Sequence, residues 1–485
     1  MAGKATSRLD TFFPVKGNNS SRSVTSNRKY EGASHSKRTS GFPLNNLSPN
    51  KDIGMDATLL RQRSRYLYQN TPYAKRAINA IANGMVGTGI QPKVKTGSVR
   101  AQKTLKRLWK TFGETTMCDF NGRLDFYGLQ KLISKTYKRD GECMILRRRV
   151  PVAESITGIQ YQVLEMEYLA DYINYQILPG GGYTINGIEY DKRGKALYYW
   201  LFQRHPSEWW TQPEKYPVND ICHILDVDYP GQNRGVPSAA PTIIAERDLD
   251  DYEDAEIVGK KVQASQALFR VTNDPEKMES PPNIDDYDKD EDLEKIEPGA
   301  IYHLFPGEQI QFNTPPTSPG AEDFRRSKQR NIAAGYEVTY EMMTGDLNNV
   351  NFSSGRMGWI EHQRSVEHWQ WMTLIPTFCV RAFNWFLEQV PLTITSDISY
   401  LPDDIEVSWT TPRREMIDPV KETSALKMQM RCGLKSWSEV VRSQGDDPDD
   451  VRRQIIEDKK TFTDAKLHAE WLPDLDLPKP LPVDS

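Results

Sequence analysis

No glycine-rich phosphate loop occurs in this chain. The nearest approach to Gly-x4-Gly-Lys-Ser/Thr is Gly194-Lys195, which is followed by Ala196 inside a turn. Without backbone N–H groups arranged around phosphates, the chain is not a nucleotide-driven motor. His-Glu-x-x-His is missing too. His362 and His368 stand six residues apart, a spacing that does not aim two imidazoles at one metal from a helix, and both read as surface residues. No Gly-x-Ser-x-Gly elbow supplies an acyl-transfer nucleophile. The five cysteines, Cys118, Cys143, Cys222, Cys379 and Cys432, are odd in number and scattered. They fit a reducing cytoplasm rather than a disulfide framework or a zinc site. There is no apolar run of membrane-spanning length and no apolar signal core, so a soluble protein without membrane contact is expected. The formal net charge is −4, which gives no overall basic field. The sequence therefore points to no catalytic constellation, no metal and no cofactor.

What is present is a long, polar chain of mixed type. Its 485 residues suffice for about two to four domains. Hydrophobic residues make up 38%, and the mean hydropathy is −0.65. Residues 1–56 read as a flexible arm, because residues 1–40 carry eight Lys/Arg against two Asp/Glu in a Ser/Asn/Gly-rich background. Order is expected from Asp56. Thr71 as N-cap with Pro72 at the first helical position opens a helix that ends at Gly87 and Gly89. Ala74, Ala77, Ile78, Ile81, Ala82 and Met85 form its apolar face. Further helices are expected over about 98–112 and 125–139. Strands come next at Glu142–Arg149 and Gln160–Leu164, then a hairpin of Ile188–Tyr190 and Ala196–Phe202 around Asp191-Lys-Arg-Gly194. The nearby Tyr198, Tyr199, Trp200, Phe202, Trp209 and Trp210 read as sheet and core packing.

The second half alternates long helices with short β segments. A helix is expected from Ser238 to Phe269. Ala240, Ile244, Ala255, Val258 and Val262 share one face with Asp248 and Asp251. A face that mixes apolar side chains with carboxylates suits packing against copies of itself beside a wet space. Residues 273–298 hold eleven Asp/Glu and three Lys, and this run includes Asp285, Asp286, Asp288, Asp290, Glu291 and Asp292. Such density reads as a solvated face rather than a metal site. Short strands at Ala300–Leu304 and Gln309–Phe312 and a Pro-rich loop lead to a second helix, Ala321–Met343. Two helices joined by a compact insertion make a stalk with a knob. Beyond them lies a polar loop: Gly345, Asp346, Leu347, Asn348, Asn349, Val350 and Asn351. It offers hydrogen-bonding groups with almost no charge, so it can touch a polyanion without gripping it. Ser354–Glu388 reads as a long helix kinked at Pro376. A β segment over about 391–410, helices between Asp418 and about Asp458, and a loose tail complete an α+β chain without internal repeats.

Several blocks, in order, resemble the lambda-type phage portal proteins. They are Leu60–Ile90 with its Asn-Thr-Pro-Tyr-Ala, Val163-Leu-Glu-Met-Glu, Ile185–Gly194, His205-Pro206, His223-Ile-Leu, Pro230-Gly-Gln-Asn-Arg-Gly-Val-Pro237, Leu304-Phe-Pro-Gly-Glu308, Glu341–Arg356, Ile417–Glu422 and Gly433-Leu-Lys-Ser436. The likeness spans roughly residues 56–460. It implies a fold with a wing (57–237 and 354–412), a two-helix stem (238–269 and 321–343), a clip (270–320), a tunnel loop (344–353) and a helical crown (413–460), with 461–485 as tail. It implies a cyclic ring of about twelve copies at a capsid vertex, a virion component assembled in the bacterial host cytoplasm. Its partners would be further copies of itself, double-stranded DNA in the tunnel, the terminase, major capsid and scaffold proteins, and a tail or neck adaptor. On this reading Gly345–Asn351 face DNA, and the carboxylates at 285–292 meet a docking partner or the lumen. Ile244, Asp248, Asp251, Ala255, Val258 and Val262 pack the ring. A conduit must avoid tight binding, since each Lys/Arg–phosphate contact adds affinity and salt dependence that hinder sliding. Two other readings are weighed against it. One is a metal-dependent DNA-processing enzyme with Asp346 or Asp285 and Asp286 as ligands; the other is a capsid or neck protein without a channel.

Overall fold

The computed structural model describes residues 46–264, 268–272, 308–312, 320–348, 350–393, 396, 400–413, 416 and 418–464, together with 37, 40 and 41. Side chains at 262–264, 268–272, 308–312, 352 and 463 lie outside this description. So do most of the arm, the acidic run with its six named carboxylates, the strand expected at Ala300–Leu304, Asn349 and the C-terminal tail. The chain divides into two units, Met1–Ser48 and Pro49–Ser485. In the first, the Ser40 hydroxyl donates to the Lys37 carbonyl at 2.8 Å.

The second unit opens with α1 (Pro49–Asn70), seven residues earlier than expected. Asn50 secures its start: the Asn50 amide donates to the Gly231 carbonyl, and its Oδ1 accepts from the Asn233 N–H at 2.8 Å. In α2 (Pro72–Val86) all six apolar positions read from the sequence are buried, and Gly87 (φ 48) ends the helix. β1 (Gln91–Lys95), α3 (Val99–Phe112) and α4 (Phe126–Asp140) come after it. Ser98 and Asp125 cap α3 and α4, each accepting a first-turn N–H. Gly141 (φ 90) then turns the chain into β2 (Glu142–Arg149), with its Cα packed so closely on Val236 and Pro237 that a Cβ would lie 2.6 Å from their backbone.

β2 is the middle strand of an antiparallel sheet between β3 (Ile159–Leu164) and β8 (Ile221–Leu225). β4 (Tyr183–Ile185), β5 (Ile188–Tyr190), β6 (Ala196–Leu201) and β7 (Glu214–Pro217) form an antiparallel meander whose β5–β6 turn is the expected hairpin. Of the aromatic residues here, Tyr199 and Phe202 are buried, but Trp209 and Trp210 are 63% and 70% exposed. These two tryptophans are surface residues, not core.

α5 runs from Ile243 to Ala264, shorter than the expected 238–269. Residues 239–242 are turn, and Phe269 belongs to β9 (Leu268–Thr272), paired with β10 (Glu308–Phe312). The helix expected at Ala321–Met343 is two helices, α6 (Ala321–Gly335) and α7 (Tyr340–Thr344). The break follows from packing. A Cβ on Gly335 would meet Thr242 Cγ2 at 2.1 Å, and Glu337 adopts φ 58, a conformation that stops a right-handed helix.

In the long helix after the loop, the irregularity expected at Pro376 is a change of helix type. α8 (Phe352–His368) passes into a π-helical segment, Trp369–Cys379, and then α9 (Val380–Gln389). Pro376 lies inside the π segment. The wider turn accommodates a residue that has no N–H to offer an i−4 carbonyl. β11 (Glu406–Thr410) pairs antiparallel with β1, joining distant parts of the chain. α10 (Pro419–Arg431), α11 (Trp437–Ser443) and α12 (Pro448–Asp464) end the described chain.

The main core gathers α2, α3, α4, the π segment and α9 around an aromatic cluster. Trp109 meets Phe126, Phe383 and Phe386 edge-on, with centroids 4.8–5.1 Å apart. Phe126 stacks on Phe378 at 5.3 Å. Such pairs add roughly 0.5–1.5 kcal/mol each beyond burial. The Tyr161 hydroxyl donates to the Ala382 carbonyl at 2.7 Å, fixing α9 against the β3–β2–β8 sheet.

Candidate functional site

Two regions carry the residues singled out by sequence, and a third was missed. The first is the loop 345–351. Thr339 caps α7, and Gly345 (φ 77) ends it, donating its N–H to the Glu341 carbonyl at 2.7 Å. The Arg76 guanidinium lies against Gly345, where an added Cβ would sit 2.8 Å from it. Its Nε also donates to the Met342 carbonyl at 2.8 Å, tying the loop to α2.

Asp346 organises the rest of the loop. Its carboxylate accepts from the Tyr340 hydroxyl and from the Asn348 N–H, both at 3.0 Å. The backbone N–H of Asn348, and then the Tyr340 hydroxyl, hold its pKa below the usual carboxylate value. The loop's one charged group is thus tied to neighbours within the loop and on α7. Leu347 is 70% exposed and Asn348 is exposed. Asn351 closes the loop with a reciprocal cap: its Oδ1 accepts from the Ser354 N–H at 2.8 Å, and the Ser354 Oγ accepts from the Asn351 N–H at 3.2 Å. The loop therefore has a helix cap at each end and an internal brace; its one charged residue is Asp346, and the exposed Arg76 of α2 lies beside Gly345.

The second region is α5. Its inner face is fixed by Leu249 and Glu246, both nearly fully buried. Tyr252 meets Phe324 of α6 at 5.0 Å. Tyr73 of α2 donates to Glu253 at 3.4 Å and accepts from Gln329 of α6 at 2.8 Å, so three helices converge on one hydroxyl. The Thr242 hydroxyl donates to Glu246 at 3.0 Å, and burial raises the pKa of that carboxyl. The opposite face holds the residues read from sequence. Ile244 and Val258 are 74% and 58% exposed, and Asp248, Asp251 and Ala255 are exposed with them. Asp251 pairs with Arg247 at 3.2 Å. The side chain of Val262 lies outside the description, and Ala240 precedes the helix. Apolar side chains stand in water beside carboxylates on this face.

The third region is a buried charge centre around Glu142. Its carboxylate accepts from Arg234 Nε at 2.8 Å and the Gly235 N–H at 2.9 Å. His223 Nε2 lies 3.1 Å away and Arg61 Nη1 3.6 Å away. Burial alone would raise the pKa of Glu142, but Arg234 and His223, with the Gly235 N–H, bring it down to about 2. The centre ties α1, β2 and β8 to the segment that enters α5, where the Ser238 N–H donates to the Lys138 carbonyl at 3.1 Å. Arg61, His223, Arg234 and Gly235 all fall inside the portal-like sequence blocks. Their order was the available signal, although spacing alone did not join them.

His362 corrects another expectation: it is 4% exposed, and burial lowers its pKa. Among the described residues, Glu165, Glu167 and His205 form the one cluster with metal-ligand proximity. Its carboxylates already face guanidinium groups, Arg61 and Arg65 on Glu167 and Arg139 on Glu165. No described helix is long and apolar enough to cross a membrane.

The family model for phage portal proteins of the lambda family matches residues 35–370. The chain is 25% identical over 433 residues to a probable portal protein of Halomonas phage phiHAP-1, covering 84% of this chain and 82% of that protein. It is 21% identical over 492 residues to portal protein B of Escherichia phage lambda, covering 89% and 90%. Among solved structures, a chain from the neck of the native gene transfer agent particle computed with C12 symmetry aligns with TM-score 0.46 at 14% identity, covering 80% of this chain and 93% of that one.

Proposed function

Because this chain belongs to the lambda family of phage portal proteins, we propose that it acts as one subunit of a closed ring at the capsid vertex, with duplex DNA passing through the bore. The observation that carries this reading is the outer face of α5. Ile244 and Val258 are more than half exposed on one subunit, on a helix whose other side is anchored by α2 and α6. Identical head-to-tail contacts repeated around an axis would cover such a face on every copy. At roughly 25 cal/mol per Å² of apolar surface, burying these two side chains stabilises each contact by a few kcal/mol.

In this ring α5 and α6 are the stem, residues 57–237 with α8 and α9 the wing, and α10–α12 the crown. The segment 270–320 is the clip, and its acidic run meets the terminase or the tail adaptor, or faces the lumen. The 345–351 loop faces DNA. Its role follows from what it withholds: there is no Lys or Arg in it, and the Asp346 carboxylate is engaged by Tyr340 and Asn348. A surface that releases no counterions on contact gains little affinity, so a duplex slides past it. The braced, doubly capped backbone keeps the loop in place under that traffic. The same ring would nucleate the shell with major capsid and scaffold proteins and carry the packaged particle to its adaptor.

Deleting residues 346–350 tests the placement. Rings should assemble normally in native mass spectra while full heads fall sharply in yield; normal packaging by the deletion variant would remove the loop from the DNA path.

A further inference from the structure

We propose that the outer face of α3 is a second DNA-contacting surface, one that grips the duplex backbone without reading sequence. α3 carries Arg100, Lys103, Lys106, Arg107 and Lys110 and no carboxylate. All five are exposed, while Ala101, Leu105, Leu108, Trp109 and Phe112 are buried on the other side. Arg100, Lys103, Arg107 and Lys110 recur at i, i+3, i+7 and i+10, which places them in one line along the helix. Fourteen residues make a helix of about 21 Å, long enough to meet several phosphates. The amphipathic burial that builds the core fixes this row in direction, so the cations are preorganised.

The surroundings strengthen the row. Residues 91–110 hold seven Lys/Arg and no Asp/Glu in a chain of net charge −4. Among the described residues the nearby carboxylates are Asp447, 3.8 Å from Lys93, Asp450, which pairs with Lys106 at 2.9 Å, and Asp404, which accepts from the Thr96 hydroxyl ahead of the helix. Glu114 stands just beyond the helix end. Arg100, Lys103 and Lys110 make no ion pair among the described residues. Apart from Val99 at the start of the helix, the stripe has no apolar side chain. A protein partner would need an apolar patch at its centre, whereas nucleic-acid interfaces are polar and strongly positive. Duplex DNA is the occupant this chemistry fits.

The two surfaces are then opposite in kind, a near-neutral loop that lets DNA pass and a basic helix that holds it. The inference rests on the portal reading only in naming duplex DNA as the polyanion. Ring formation is scored separately, so a failure of assembly counts against that reading and not against this one.

The test measures binding of a fluorescent 30-bp duplex to the assembled full-length protein between 50 and 200 mM NaCl. The triple variant Arg100→Gln, Lys103→Gln, Lys110→Gln is compared with the equal-charge control Arg63→Gln, Lys75→Gln, Lys427→Gln. Loss of three phosphate contacts lowers the salt slope by about 2.7, so the wild-type advantage at 50 mM should exceed that at 200 mM about 40-fold. The control should keep the wild-type slope. Equal slopes for the triple variant and wild type would overturn the proposal. So would a triple variant that keeps DNA binding while losing affinity for a synthetic peptide of residues 273–298, because the stripe would then serve an acidic protein segment.

Discussion

Replacing Glu142 with Gln keeps the volume and removes the charge on which four segments converge. The carboxyl is fully buried, with its pKa brought from 4.5 to about 2. At roughly 1.4 kcal/mol per tenfold change, that difference corresponds to about 3 kcal/mol of stability. Breaking a buried ion pair by removing one partner typically costs about 3–5 kcal/mol, which agrees in size. Gln would also turn an amide N–H₂ toward Arg234 or His223, both of which donate. The sign of the pH dependence is fixed. A depressed carboxyl stabilises the fold above its unfolded pKa, and that contribution disappears as pH falls from 4.5 toward 2. About 2 kcal/mol of it should be gone by pH 3. A chain this long does not unfold in one step, so the assay is local: hydrogen exchange of amides in 226–242, with pulse proteolysis as a second readout. Glu142→Gln should lose about 3 kcal/mol of protection there at pH 7, with the deficit narrowing in acid. A deficit below about 1 kcal/mol, or one unchanged between pH 5 and pH 3, would refute the assignment of Glu142 as the fastener of the α5 entry.

The remaining predictions concern the ring face, the loop and the stem. Val258→Asp should leave the melting temperature of the isolated subunit unchanged, because the side chain is already exposed, yet stop ring closure in native mass spectra; intact rings would exclude this face as the contact. Asn351→Ala removes the side-chain half of the α8 cap, leaving the residue-351 N–H on Ser354 Oγ, and should cost about 1 kcal/mol, read as faster exchange at residues 352–355 with no change elsewhere. Glu246 is a buried carboxyl with a raised pKa, so ionising it weakens the fold as pH rises above its unfolded value near 4.5. Glu246→Gln should therefore melt higher than wild type at pH 8 and equal to it at pH 4, and a lower melting point at both would reverse the assignment.

Local regularities were legible in the sequence. The α2 face follows from 3.6-residue periodicity, its start from Thr71-Pro72 and its end from Gly87. α3, α4 and the β5–β6 hairpin were equally readable, since each is set by near neighbours. The mixed character of α5 was readable as well, and Ile244, Asp248, Asp251, Ala255 and Val258 do share an exposed face. Effects of distant packing were not legible. The break after Gly335 is marked by the positive φ of Glu337, next to a glycine that leaves room for Thr242, more than ninety residues away, and no local pattern announces it. The π segment arises where a proline must be carried through a helix clamped by the core. His362 is buried because helices distant in sequence close over it. The loop was read as polar and nearly uncharged, but the tethering of Asp346 by Tyr340 became visible only once α7 was in place. Trp209 and Trp210 were misassigned because aromatic density in a β-rich stretch does not say which residues follow the sheet and which leave it.

The central claim is that identical subunits close around an axis with the 345–351 loop on the bore. An averaged axial view of the assembled particle, with a density label on a cysteine introduced at Asn348 in protein whose exposed Cys432 is replaced by Ser, tests it most directly. The account predicts a closed ring of about twelve copies with the label lining a central opening wide enough for duplex DNA. Label on the outer rim, or particles without rotational symmetry, would contradict it.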